Sequence, residues 1–291
     1  HTDDNFFIDI YKKSRIKNLK IINYTKKNTL SFFRRYIFSS LIFNLKSFIL
    51  IFFMKFFRAK TLNRSEKNVC LSLYPNFYDK KKEIFFKKKF IKLNFQITDE
   101  THLNNSLFKN LRTFLRLNKS RDVIIVERFI DLKSIFFCFL NSMCNIKFIQ
   151  VAKKYNFVIE GDNFSLPLRH LFLDSLINFN KLYIYRNALK FVLEKLKINN
   201  FHYYLFEYNF GYFLNFYIKK FSPKTKLIGY QHGIYSERLM WQNFTKLIKS
   251  KNYFPHEIIL KHQVSKKSYL NNFNKIKLKF DKNNKNAKYN A

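Results

Sequence analysis

Four polar groups stand directly after short apolar runs: Tyr74-Pro75-Asn76, Glu127-Arg128, Glu207 and Gln231-His232-Gly233. An imidazole takes or gives a proton near neutral pH, and a carboxylate beside it orients the ring or accepts the proton itself. His232 also precedes a glycine, which permits a positive φ or the close approach of a ligand. The guanidinium groups of Arg128 and Arg238 suit bidentate binding of phosphate. His232 and Glu207 are therefore the candidates for proton transfer. Gln231, Gly233, Arg238, Glu127 and Asn76 are the candidates for holding a substrate. Structural roles compete with each. His232 can be a hydrogen-bonded core or loop histidine, and Glu207 can be a cap or first-turn carboxylate favouring the dipole of the helix that follows it.

These groups need elements to position them. Residues 203–206 and 227–230 are apolar runs rich in aromatic and β-favouring residues, too short for free helices. Between them lies about one helix of chain, 209–221, closed by Ser222-Pro223. That outline is a strand–helix–strand unit, with parallel strands and a right-handed crossover. Further strands are predicted at 69–74, 91–97, 122–127, 147–151 and 256–261. Helices are predicted at 79–90, 104–117, 130–143, 168–196 and 264–273. Strand and helix alternate throughout, so the fold class expected is α/β with a doubly wound, mostly parallel sheet. In such sheets ligands bind just beyond the carboxyl ends of the strands, where the four polar groups stand.

The flanks differ in texture. Residues 36–54 are long and apolar enough for a membrane span and are bracketed by Arg34-Arg35 and Lys55/Arg58. Lys46 and Asn44 sit at the centre of that run, and a central lysine costs roughly 2.5–3.5 kcal/mol on insertion. An amphipathic helix over 31–60, lying on a surface or packed in a core, is the expectation. The segmentation expected is a basic N-terminal region over 1–67, an α/β domain over 68–273 and a disordered basic tail over 274–291. With 55 basic and 19 acidic residues the formal charge is +36. The lysines are spread along the whole chain and accompany abundant Asn, Ile and Phe, the mark of a biased codon usage. Anionic lipid is the partner this surface best fits. Nucleic acid is not expected, since no binding module accompanies the charge.

The three cysteines all lie in apolar surroundings without metal-ligand spacing, and buried free thiols are expected. There is no GxGxxG, GxxxxGK[ST], GxSxG or HExxH. With only four glycines in the chain, a glycine loop that cradles phosphate is excluded. No DxD-type acidic pair follows a strand, so no metal is expected.

Glu207 after a hydrophobic strand, an aromatic helix, and then the run KLIGYQHGIYSERLMW resemble the surface-polysaccharide glycosyltransferases of the two-Rossmann-domain (GT-B) type. The likeness covers roughly residues 68–270, and its specific part is Glu207 with residues 231–241. It implies a Rossmann-like acceptor domain preceded by a hydrophobic helix. The activity implied is sugar transfer from a nucleotide-sugar to a lipid-linked or glycan acceptor, with no cofactor beyond the donor. His232 would lie in the inter-domain cleft, Glu207 would orient it or accept the hydroxyl proton, and Arg238 would face the departing diphosphate. The location implied is cytoplasmic, peripheral at the inner face of the cell membrane. Only about thirty residues follow residue 260, so the donor-binding second domain is expected to be absent and the chain a fragment. The competing expectation is a non-enzymatic, membrane-associated assembly protein.

Overall fold

The computed structural model describes residues 29–57, 62, 66–73, 90–97, 107–148, 158–159, 162–163, 176, 182–204, 209–231, 250–260 and 276–280. They fall into two compact units. One draws on His1–Ile49 and Leu132–Ile184, the other on Leu50–Asp131 and Tyr185–Ala291.

The second unit is built on a seven-stranded sheet. Its strands are β1 (Glu66–Leu73), β2 (Ile91–Phe95), β3 (Val123–Ile125), β6 (Ile198–Tyr204), β7 (Lys226–Tyr230), β8 (Glu257–Leu260) and β9 (Lys277–Phe280). They lie in the order β3-β2-β1-β6-β7-β8-β9. Every neighbouring pair is parallel. The chain winds outward from β1 to one edge, returns to the middle at β6, and winds outward to the other edge. This is the α/β class expected, and the direction of winding reverses between β1 and β6.

Register assigns the two faces. One carries Leu71, Leu93, Phe95, Phe201, Tyr203, Leu227 and Ile258. Helices α4 (Arg186–Leu196) and α5 (Asn209–Phe221) cover it: the Phe95 ring centroid lies 5.2 Å from Tyr185 and 5.4 Å from Phe210. Tyr203 Oη donates at 2.5 Å to Asn215 Oδ1 on α5, whose amide donates to the Tyr253 carbonyl at 2.9 Å. The α5 helix stops where expected, before Pro223. Ser222 N–H closes it onto Ile218 O at 2.8 Å, and Thr225 Oγ1 donates to Ile198 O at 2.7 Å, aiming the chain into β7. The opposite face is more polar. It carries Lys92, Asn94, Cys70, His202, Tyr230 and Glu257 among smaller apolar residues.

At the β9 edge, Glu257 is buried and pairs with Lys226 at 2.8 Å and Lys279 at 2.7 Å. Burial pushes its carboxyl up, but the hydrogen bonds and charges of the two lysines outweigh that and hold it below its ordinary value of 4.5. The stability contributed is therefore present above that value and is lost as pH falls below it. Glu257→Gln is expected to lose about 1 kcal/mol in urea denaturation at neutral pH. The gap from wild type should close in acid.

Two expectations are corrected here. The segment after Phe273 is not wholly an unstructured tail, because Lys277–Phe280 pairs with β8 as an edge strand. The strand expected from residue 147 is not formed there, since 146–148 make a helical turn in which Phe148 N–H bonds Asn145 O at 3.0 Å. The helices expected at 79–90 and 264–273 lie outside the described residues.

The first unit holds most of α1 (Thr29–Lys55), then α3 (Leu132–Cys144) and an antiparallel pair, β4 (Val158–Ile159) with β5 (Asp162–Asn163). Helix α2 (Leu107–Asn118) belongs to the sheet unit and joins β2 to β3. In α1 the side chains turned inward include Tyr36, Ser40, Phe43, Asn44 and Ser47, while Phe38, Leu41, Leu45 and Phe48 are exposed. A helix forms where residues 31–60 were expected to hold an amphipathic one, and its buried side takes in the small polar residues together with Tyr36 and Phe43. Cys70 and Cys138 are buried thiols outside any disulfide, as expected, whereas Cys144, at the end of α3, is exposed.

Candidate functional site at the carboxyl edge of the sheet

The four polar groups follow four strands, and the strand order decides which of them come together. β1, β6 and β7 are consecutive neighbours, so the strands that precede Asn76, Glu207 and Gln231-His232-Gly233 share one stretch of the carboxyl edge. β6 and β7 are paired in register up to Tyr204 opposite Tyr230. Glu207 is three positions past that pair and His232 two positions past it. The reversal of winding lies between β1 and β6, where doubly wound sheets open a crevice. Gln231 is wholly buried, and its backbone N–H donates to Ile259 O at 2.9 Å, so β8 fixes the chain as it leaves β7. Asn76, Glu207, His232, Gly233 and Arg238 themselves lie outside the described residues.

Glu127 belongs elsewhere. It follows β3, three strand spacings from β6, or about 14 Å at ~4.8 Å per strand. Its side chain is fully buried in the 3₁₀ turn Val126–Phe129. Oε1 accepts from Gln96 N–H, from Ile97 N–H at 2.9 Å, and from Tyr185 Oη. The Tyr185 hydroxyl in turn accepts from Ile97 N–H at 3.0 Å. Burial pushes the Glu127 carboxyl above its ordinary range, against the opposing effect of these donors. The carboxyl ties the end of β2, the turn after β3 and the start of α4 to one another. That replaces the substrate contact expected of it with a clamp. Arg128 is similarly committed: its guanidinium donates to Asn118 Oδ1 and Phe57 O and lies 5.9 Å above the Phe114 ring. Its own carbonyl accepts from Lys55 Nζ at 3.0 Å.

One buried histidine escaped the sequence reading. His202, in the middle of β6, stacks on Phe90 with ring centroids 4.9 Å apart and planes at 17°. Its Nδ1 lies 3.1 Å from Tyr230 Oη and its Nε2 lies 3.2 Å from Asn68 Oδ1. With both ring nitrogens engaged by neutral groups, His202 ties β1, β6 and β7 together on the polar face. The signal for it was alternation in Asn200-Phe201-His202-Tyr203, masked by the two asparagines that open the strand.

A second titratable group sits at the opposite, amino edge. His256 Nδ1 accepts from Leu227 N–H at 2.9 Å, which requires that nitrogen to be unprotonated. Burial, and then the charges of Lys219 and Lys226, keep the ring below its ordinary value. Lys219 is pushed down to about 8 by burial and by the charge of Lys251. This cluster is remote from the carboxyl edge and plays no part in the site.

Among the described residues no group of three or more His, Cys, Asp or Glu is placed to hold a metal ion. No protein-family model, curated protein or solved structure matches this chain.

Proposed function

We propose that this chain is the acceptor-side domain of a surface-polysaccharide glycosyltransferase, transferring a sugar from a nucleotide-sugar to a hydroxyl of a lipid-linked or glycan acceptor. One observation carries the reading: β6 and β7, from which Glu207 and His232 follow, are paired neighbours beside the reversal of winding. The sequence resemblance at residues 231–241 supplies the reaction class. In this reading His232 removes the proton from the attacking hydroxyl as the bond to the sugar anomeric carbon forms. Glu207 holds the imidazole in the tautomer that presents a free nitrogen. Arg238 balances the charge gathering on the nucleoside diphosphate as the sugar–phosphate bond breaks. Gln231 and Gly233 shape the backbone around His232, Asn76 contributes from the end of β1, and donor binding falls to a second domain.

The test is transfer of radiolabelled sugar by the full-length protein from a panel of nucleotide-sugars to a membrane-lipid acceptor. His232→Ala and Glu207→Ala are each expected to lower the rate by about 10²–10⁴-fold with circular dichroism unchanged. Full rates in both variants would remove these residues from the site. A wild-type protein that transfers nothing from any donor would remove the reaction and select the second reading, a membrane-associated assembly protein. That reading is favoured by the outward apolar faces of α1 and α3.

A further inference from the structure

Helices α1 and α3 of the first unit turn small and polar side chains inward and large apolar ones outward. In water a packed helix buries its large apolar side chains and exposes the small and polar ones. In α1 the buried side sets Ser40, Asn44 and Ser47 beside Tyr36 and Phe43, while Phe38 is 66% and Leu45 61% exposed. In α3 the buried side sets Ser134, Cys138 and Ser142 beside Ile135, while Phe136 is 60% and Phe137 57% exposed. Two helices of one unit thus share the same inversion. Three of the inward polar groups find hydrogen-bond partners inside the unit: Tyr36 Oη donates to Ser142 O at 2.7 Å, Asn44 Nδ2 to Ser40 O at 2.7 Å, and Ser142 Oγ to Cys138 O at 2.9 Å, whereas Asn44 Oδ1 and Ser47 Oγ find none among the described residues. Small residues and hydrogen-bonding side chains turned toward neighbouring helices, with large apolar ones turned out, are what hydrocarbon solvent selects.

We infer that this unit docks on an anionic lipid bilayer by sinking the outer faces of α1 and α3 into the acyl layer. Charge chooses the occupant. Arg34 and Lys55 bracket the apolar part of α1, and Lys133 and Lys147 bracket that of α3, with Arg35 beside Arg34 and Lys46 the one charge within either apolar run. Basic brackets at both ends of both apolar faces match phosphate headgroups flanking hydrocarbon. A second copy of the chain would bring +36 against +36 and meet those brackets with like charge. Length sets the mode. The 13 residues of α3 extend about 20 Å, short of the ~30 Å hydrocarbon core, so α3 lies within the bilayer surface rather than crossing it. The inference stands independently of sugar transfer, since no residue of the carboxyl edge takes part in it.

The experiment uses the full chain with vesicles of phosphatidylcholine, alone or mixed with phosphatidylglycerol. Cys144 is the exposed thiol of the three, so a maleimide fluorophore placed there reports on the end of α3. Flotation with the mixed vesicles is expected, with a blue shift of the fluorophore and quenching by doxyl-labelled lipid. It should persist in about 1 M salt, where the screening length is only ~3 Å. The double variants Leu45→Ser with Phe48→Ser, and Phe136→Ser with Phe137→Ser, change exposed side chains and should keep the wild-type melting curve. Each is expected to weaken binding about tenfold or more. Phe191→Ser, an exposed position on α4, should leave binding unchanged. Release of the protein by salt without quenching would reduce the contact to surface charge and overturn insertion. Dimers in sedimentation that dissociate in the same serine variants, with no flotation, would assign the face to a second copy instead.

Discussion

Glu127→Leu is expected to cost the sheet unit about 2–5 kcal/mol, measured by urea denaturation of the full chain followed by circular dichroism. The leucine fills the volume but accepts nothing. Gln96 N–H and the Tyr185 hydroxyl then lose their acceptor in a buried setting, at about 1–3 kcal/mol each. Ile97 N–H retains Tyr185 Oη at 3.0 Å. Glu127→Gln keeps the accepting oxygen and should cost only about 1 kcal/mol. The two variants separate loss of an acceptor from loss of a charge. Linkage adds a second signature. Burial raises the folded carboxyl above its ordinary value of 4.5, so the native state retains a proton that the unfolded chain has released. Wild-type stability therefore falls as pH rises through that interval, and the non-ionising glutamine variant gains on it. A gap between wild type and Glu127→Gln that is flat across weakly acidic to neutral pH would show Glu127 ionised in the fold.

The second large effect belongs to Phe95. Its ring is fully buried between the sheet and the start of α4 and α5, in edge contact with Tyr185 and Phe210. Phe95→Ala removes those contacts and leaves a cavity, an expected loss of about 3–5 kcal/mol. Phe95→Leu should lose less than half of that. Both are checked by the same denaturation midpoint at constant slope. A small loss for alanine would mean that α4 and α5 close over the gap.

Much of this architecture could be read from residue pattern. β1, β2, β3, β7 and β8 carry apolar residues bounded by polar ones, and α5 lies between Glu207 and a proline. β6 showed only at its aromatic end, because Asn199 and Asn200 interrupt its pattern. Asn200 is placed there to donate to Asn68 Oδ1 at 3.1 Å on β1. β9 looked like tail because Lys277 and Lys279 alternate with Leu278 and Phe280, the pattern of an exposed edge, on which Lys279 pairs with Glu257. The candidate site was legible in kind but not in membership. Polar groups after strands can be found in sequence. Which strands are neighbours depends on pairing between distant residues, and that separates Glu127 from the group after β6 and β7. The clamp needed Tyr185, 58 positions from Glu127, and no local signal links them. The inversion of α1 was not read because Ser40, Asn44 and Ser47 mark one face at helical spacing, and a polar face is expected outward in water.

The central pairing also sets a timetable for synthesis. Glu66 on β1 pairs with Ile198 on β6, 132 positions later, and the inserted segment Leu132–Ile184 emerges between them. At about 5–20 residues per second a ribosome needs roughly 7–26 s to cover that distance. For that interval β1, joined first by β2 and then by β3, waits with its β6 side open, and those backbone groups are a template for another strand. A nascent chain whose apolar helices settle on lipid during the wait would hold that edge away from its neighbours on the same polysome.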